Sequence, residues 1–258
     1  ESPSRIPTCD WGAAISHRQA GAKQRRGGRK EQRSMALKVY ADRMSAPSRA
    51  VLIFCKINGI AFDEINADIA KGNPEFTAIN PLQELPAITD SGFKLFESHA
   101  ILIYICSAFP SVGDHWYPGD FSVRSRIHSL LNWHHSNLHS PTAPPEILAF
   151  SLAVIESFWL EGKGRFLLGV LRPSIADLIL VCDIIQLQVF GKDHLLEPYK
   201  KVQKWIQDTR NAMGPHFEEV HQVLFQAKLK PRVLGEKSGT PDWSGEGAPS
   251  NFKIQKTC

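Results

Sequence analysis

At 258 residues, with 43% hydrophobic and 22% charged side chains, the chain has the make-up of a globular protein, long enough for one large domain or two modest ones. No apolar run approaches the roughly 20 residues that cross a bilayer, so a membrane span is not expected. The formal charge of +4 would call for an anionic partner only if focused on one surface, and much of the excess sits in residues 1–34, so nucleic acid is not an expected partner either.

Residues 1–34 carry Arg5, Arg18, Lys23, Arg25, Arg26, Arg29, Lys30 and Arg33 with almost no periodic apolar pattern, and are expected to form a disordered basic extension. Its Arg-rich, acid-poor character resembles a transit peptide or a short RNA-binding tail, but an extension with no role in the fold is the simpler reading. A first domain is expected over 35–112. Leu37 to Ala41 alternates as a strand, and Ala50, Ile53, Phe54 and Ile57 recur at helical spacing until Asn58-Gly59 stops the helix. Ile60 to about Asn66 reads as a second strand, Leu85-Pro86-Ala87-Ile88 as a third and Phe93 to Phe96 as a fourth, with Asp90-Ser91-Gly92 as the turn between the last two. A helix follows from Ser98 to about Phe109. The order β-α-β, connection, β-β-α is that of a thioredoxin-like α/β domain.

Gly113, Asp114, Pro118 and Gly119 interrupt both periodicities, so the domains are expected to separate near 112–120. From 120 to 228 the signal is helical throughout: Ile127, Leu130, Leu131, His134 and Leu138 share a face, as do Leu178, Val181, Cys182 and Ile185. Ser174-Ile175-Ala176-Asp177 is a capping box that starts a buried helix, and Trp205 and Ile206 belong to a late amphipathic one. The second domain is therefore expected to be all-α. Residues 229–258 read as a disordered tail, in which Gly235-Glu236-Lys237-Ser238 lacks the glycine and the framing elements of a phosphate loop. Five scattered cysteines indicate neither a disulfide framework nor a zinc module, and a reducing, cytoplasmic location is expected. His135 and His139 share a helix face without a visible third ligand, so no metal is assigned.

Several segments together resemble a known family. Tyr40-Ala41-Asp42-Arg43-Met44-Ser45-Ala46-Pro47-Ser48-Arg49-Ala50, Ile79-Asn80-Pro81-Leu82, Leu85-Pro86-Ala87-Ile88, Leu95-Phe96-Glu97-Ser98-His99-Ala100-Ile101 and Pro173-Ser174-Ile175-Ala176-Asp177 are similar, in order and spacing, to the signatures of plant theta-class glutathione transferases. The resemblance runs from about Met35 to Lys228 and implies the glutathione transferase fold, with glutathione as co-substrate and no further cofactor. It implies that Leu85-Pro86 is a cis peptide whose neighbouring backbone pairs with the cysteinyl unit of glutathione. It implies also that Glu97 and Ser98, at a helix start, receive the γ-glutamyl group, while from the local sequence alone Ser98 is an ordinary N-cap. Ser45 follows the first strand and reads locally as an N-cap too. In the family setting its hydroxyl, with the positive helix end, would favour glutathione thiolate over thiol, and the absence of a cysteine there argues for conjugation or peroxide reduction rather than disulfide exchange. Ser48 is a lesser candidate donor, and Arg49 is expected to be structural or at an interface.

The residues expected around glutathione are thus Ser45, Ala46, Lys71, Gly72, Glu84, Leu85, Pro86, Glu97 and Ser98, with Trp133 and His134 lining the pocket for a hydrophobic electrophile or hydroperoxide. A homodimer is implied. Three departures from the family pattern stand out. Glu84 occupies a place that is often basic, the connection Ala70-Lys71-Gly72-Asn73-Pro74 is short, and after Leu138 the chain turns into His139-Ser140-Pro141 where a longer helical pair is usual. A catalytically weak glutathione- or hydrophobe-binding module is therefore the alternative, with binding retained better than turnover and apolar surface exposed near Ile147-Leu148-Ala149-Phe150.

Overall fold

A computed structural model describes residues 37–66, 73–138 and 143–229. Strands β1 (Leu37–Tyr40), β2 (Phe62–Ile65), β3 (Ala87–Asp90) and β4 (Phe93–Phe96) form one sheet in the order β2-β1-β3-β4. The β1 and β2 strands run parallel, joined by helix α1 (Ala46–Ile57), and the other two pairs are antiparallel. This is the thioredoxin-like arrangement that the element order predicts. The third strand begins later than the sequence indicates. Leu85-Pro86 is cis and Pro86 has no N–H to give to a ladder, so pairing starts at Ala87, opposite Tyr40 and Phe96.

Helix α1 starts four residues before the periodic run at Ala50, because Ser45 caps it and Pro47 fits its first turn. It ends at Asn58, where Gly59 takes a φ of 63°. A short helix α2 (Pro74–Thr77) precedes β3, and helix α3 (Ser98–Ala108) follows the β4 strand. After one 3-10 turn at Asp114–Trp116 come α4 (Phe121–Asn137), α5 (Pro145–Val154), α6 (Ile175–Gln186), α7 (Lys200–Met213) and α8 (Pro215–Leu229), with no strand among the described residues. The expected α4 face of Ile127, Leu130, Leu131, His134 and Leu138 is buried as a unit. Helix α5 continues into a π turn, Ile155–Trp159, closed by a Leu160 N–H to Ile155 carbonyl bond of 2.9 Å.

Every residue of α6 is buried, because this helix lies in the middle and packs on α1, α3, α4 and α7. Its near-continuous apolarity is the mark of that position. One large apolar cluster runs from Leu37 in β1 to Leu224 in α8 and joins the sheet to the helices, while a smaller one gathers around Phe76 and Ala87. Cys55, Cys106 and Cys182 are free thiols. Among the described residues no helix is long and apolar enough to cross a membrane, and no group of His, Cys, Asp and Glu is arranged to hold a metal ion. His139 of the considered histidine pair lies outside the described residues.

Candidate active site

The turn after β1 is held by local bonds. Ser45 N–H donates to the Asp42 carbonyl at 2.9 Å and Met44 N–H to the Asp42 carboxylate at 2.8 Å. The Ser45 hydroxyl oxygen accepts from Ser48 N–H at 3.5 Å, at the long end of hydrogen bonding, and so caps α1 while the hydroxyl keeps its own capacity to donate. That hydroxyl borders a cleft of about 450 Å³ shared with Asp42, Met44, Ala46, Gln83, Glu84 and Leu85. The cleft is of the size that takes small ligands.

A second, smaller hollow adjoins it and shares Pro47, Glu84 and Leu85, then extends over Asn80, Pro86, Glu97, Ser98, His99 and His135. Asn80, 2% exposed, shapes the rim between the two: its amide donates to the Glu84 carbonyl at 2.9 Å and its oxygen accepts from Leu82 N–H at 3.0 Å. Glu97 at the far end takes a φ of 72° and Gln83 in the first cleft a φ of 56°, left-handed conformations uncommon for such residues and often found at ligand sites. The two hollows form a track from the start of α1, past the cis peptide, to the start of α3. Both ends are helix N-termini, which favour negative charge.

The second domain forms the opposite wall. Asp183 and Gln186 of α6 both border the Ser45 cleft. Asp183 is bound to His134 of α4 at 2.6 Å, with both side chains almost wholly buried. Arg49 of α1, fully buried, donates to the carbonyls of Arg43 and Met44 at 2.9 Å each, to the Cys182 carbonyl at 3.2 Å and to the Gln186 side chain. Burial lowers its pKa, against the pull of Cys182, Asp183 and Asp42.

Most of the residues named from sequence come together here. Ser45, Ala46, Glu84, Leu85, Pro86, Glu97 and Ser98 border the two hollows, whereas Lys71 and Gly72 lie outside the described residues. Three expectations need correction. The N-cap of α3 is Glu97, without a side-chain capping bond, and Ser98 is the first helical residue. Ser48 is fully buried, so its hydroxyl cannot reach a sulfur in the cleft. His134, expected at the electrophile pocket, is 2% exposed and stands behind Asp183; its half-buried neighbour Trp133 packs against Trp159 with ring centres 5.8 Å apart. The sequence reading missed Asp42, Gln83, Asp183 and Gln186. Asp183 and Gln186 carried a usable signal, as polar residues one turn apart in an otherwise apolar helix.

The family model for the glutathione S-transferase N-terminal domain matches residues 35–107. Glutathione S-transferase T1 of Arabidopsis thaliana is 53% identical in an alignment of 236 positions that covers 79% of this chain and 96% of that relative. The chain belongs to the theta class of glutathione S-transferases. Among the more distant theta members, mouse theta-1 is 33% identical over 78% of this chain and 98% of its own length. A solved structure of human theta-2, in complex with glutathione and an unknown ligand, superposes with a TM-score of 0.69 at 30% identity, covering 75% of this chain and 89% of that one. Class membership makes this protein a transferase that conjugates glutathione to electrophiles, built as a thioredoxin-like domain followed by a helical one.

Proposed function

We propose that Ser45 is the thiol-activating group of this theta-class transferase. The observation that carries the reading is the place of Ser45, the cap of the α1 N-terminus, on the border of a track that continues past Leu85-Pro86 to Ser98. Glutathione lies along that track, with its cysteinyl unit against Leu85 and its γ-glutamyl group at Glu97, Ser98 and the free N–H groups of α3. Ala46, Glu84 and Pro86 line its path. The Ser45 hydroxyl donates to the sulfur and, with the helix end, favours thiolate over thiol; the thiol proton leaves to water. In conjugation the sulfur pair forms a bond to the electrophilic carbon as the leaving group departs with its own pair.

A hydroperoxide is a second acceptor of the same thiolate. Attack on the peroxide oxygen gives a sulfenic acid and an alcohol, and a second glutathione converts the sulfenic acid to disulfide and water. The protein works as a homodimer in the cytoplasm and needs no cofactor beyond glutathione. Ultraviolet titration of the thiolate in the glutathione complex tests the central assignment. Ser45→Ala should keep the fold and raise the bound thiol's pKa by about one, since a neutral hydrogen bond is worth on the order of 1–2 kcal/mol. An unchanged titration removes Ser45 from the role.

A further inference from the structure

We infer that Arg49, clasped to Gln186, is a positioning residue for the Ser45 hydroxyl, so that helix α6 of the second domain sets thiol activation in the first. The inference rests on the reading of Ser45 as the donor.

The local capping bond does not hold Ser45 firmly, because 3.5 Å is long for a hydrogen bond. The residue before it is held much better. The Met44 carbonyl accepts from Arg49 at 2.9 Å and from the Gln186 amide at 3.3 Å, and the Arg43 carbonyl accepts from Arg49 at 2.9 Å. Since the Met44 carbonyl belongs to the peptide unit that carries the Ser45 nitrogen, fixing it fixes the direction in which the Ser45 side chain leaves the backbone. The other end of the clasp is anchored in α6, through the Cys182 carbonyl and the Gln186 oxygen. Gln186 is therefore reciprocal, accepting from Arg49 and donating to Met44.

The effect passes through geometry and not through a bare charge. Arg49 is shut away from solvent, and the carboxylates of Asp42 and Asp183 lie near enough to oppose its charge. Both border the same cleft as Ser45, which Arg49 itself does not line, so two anions stand on the cleft side of its charge. Its planar fork, able to bind several carbonyls in fixed directions, is the property that a lysine would lack.

The test uses the full-length protein and three variants: Gln186→Met, Arg49→Lys and Ser45→Ala. Gln186→Met keeps volume and loses both polar contacts. It should raise the pKa of bound glutathione by about half to one, a three- to tenfold loss of thiolate near neutrality, while affinity for S-methylglutathione, which has no thiol to ionise, stays within about twofold. Arg49→Lys should act in the same direction; where it fails to fold, Gln186→Met carries the test alone. Combined with Ser45→Ala, Gln186→Met should add no further shift, because both act through one hydroxyl. An unchanged pKa in Gln186→Met, or shifts that add in the double variant, would overturn the inference while leaving Ser45 in place. No shift in Ser45→Ala would remove the underlying assignment itself.

Discussion

Glu84 is exposed at the rim where the two hollows meet, and puts a negative charge beside the path of a ligand that is itself a net anion. Repulsion at such an exposed position is screened and modest. Glu84→Gln is expected to tighten glutathione binding by about two- to fivefold at low ionic strength, with the gain shrinking as salt is added; calorimetry at two salt concentrations measures both. Equal affinities would mean that the carboxylate turns away from the bound peptide. Ser48 offers a contrasting case three residues beyond Ser45. Its hydroxyl is buried without a hydrogen-bond partner, so Ser48→Ala should leave the bound thiol's pKa unmoved and hold or raise stability by up to about 1 kcal/mol. Weaker binding or a shifted titration would show that the buried hydroxyl shapes the site after all.

Within elements, the start of α6 shows how far local sequence reaches. The S-x-x-D pattern announces the cap, and Asp177 does accept from the Ser174 N–H at 2.8 Å and from its hydroxyl at 3.0 Å. Nothing local announces the other two donors, Leu167 N–H and the Trp205 indole, each 2.8 Å from the second oxygen. They arrive by tertiary folding, one from the loop before α6 and one from α7. Burial pushes the Asp177 carboxyl pKa up despite these four bonds. Asp177→Ala strands two buried backbone N–H groups and an indole N–H, and is expected to cost about 3–5 kcal/mol, read as a fall in the urea midpoint at constant slope. A loss below about 1 kcal/mol would mean that water replaces the carboxylate. The start of α3 went the other way: Glu97-Ser98 reads as a serine cap, but Glu97 takes the cap position, a shift of one residue that propensity does not resolve.

At the scale of the whole molecule, the order of strands and helices along the chain and the all-helical second half were legible because strand alternation, helical spacing and turn residues are local signals. The wall facing Ser45 was not. It depends on α1 meeting α6 across more than 130 residues, as in the Arg49 bond to Gln186, and on His134 being drawn inward by Asp183 instead of opening on the ligand. The exposure expected near Ile147 and Phe150 is present, at 51% and 64%. The packing of α8 on α1 brings a further consequence that no motif marks. His221 is fully buried and stacks on Phe217 and Phe225; its Nδ1–H donates to the Phe217 carbonyl at 2.8 Å, which leaves Nε2 a buried acceptor without a partner. Burial first, then the charges of Arg49 and Arg210, drive its pKa down to about 3. The unfolded chain takes up this proton near the ordinary histidine value of about 6.5 while the folded chain refuses it, so stability is present above that value and drains as pH falls towards 3. Between pH 7 and pH 5 the loss from this one residue is about 2 kcal/mol. Asp177, with its raised pKa, works in the opposite sense as acid is added and blunts the lowest part of the curve. His221→Leu, close in volume and without the stranded nitrogen, should match the parent or exceed it in thermal stability at pH 7 and lose about 2 kcal/mol less between pH 7 and pH 5. Parallel melting curves for the two proteins across that range would show that the imidazole takes up its proton in the folded state.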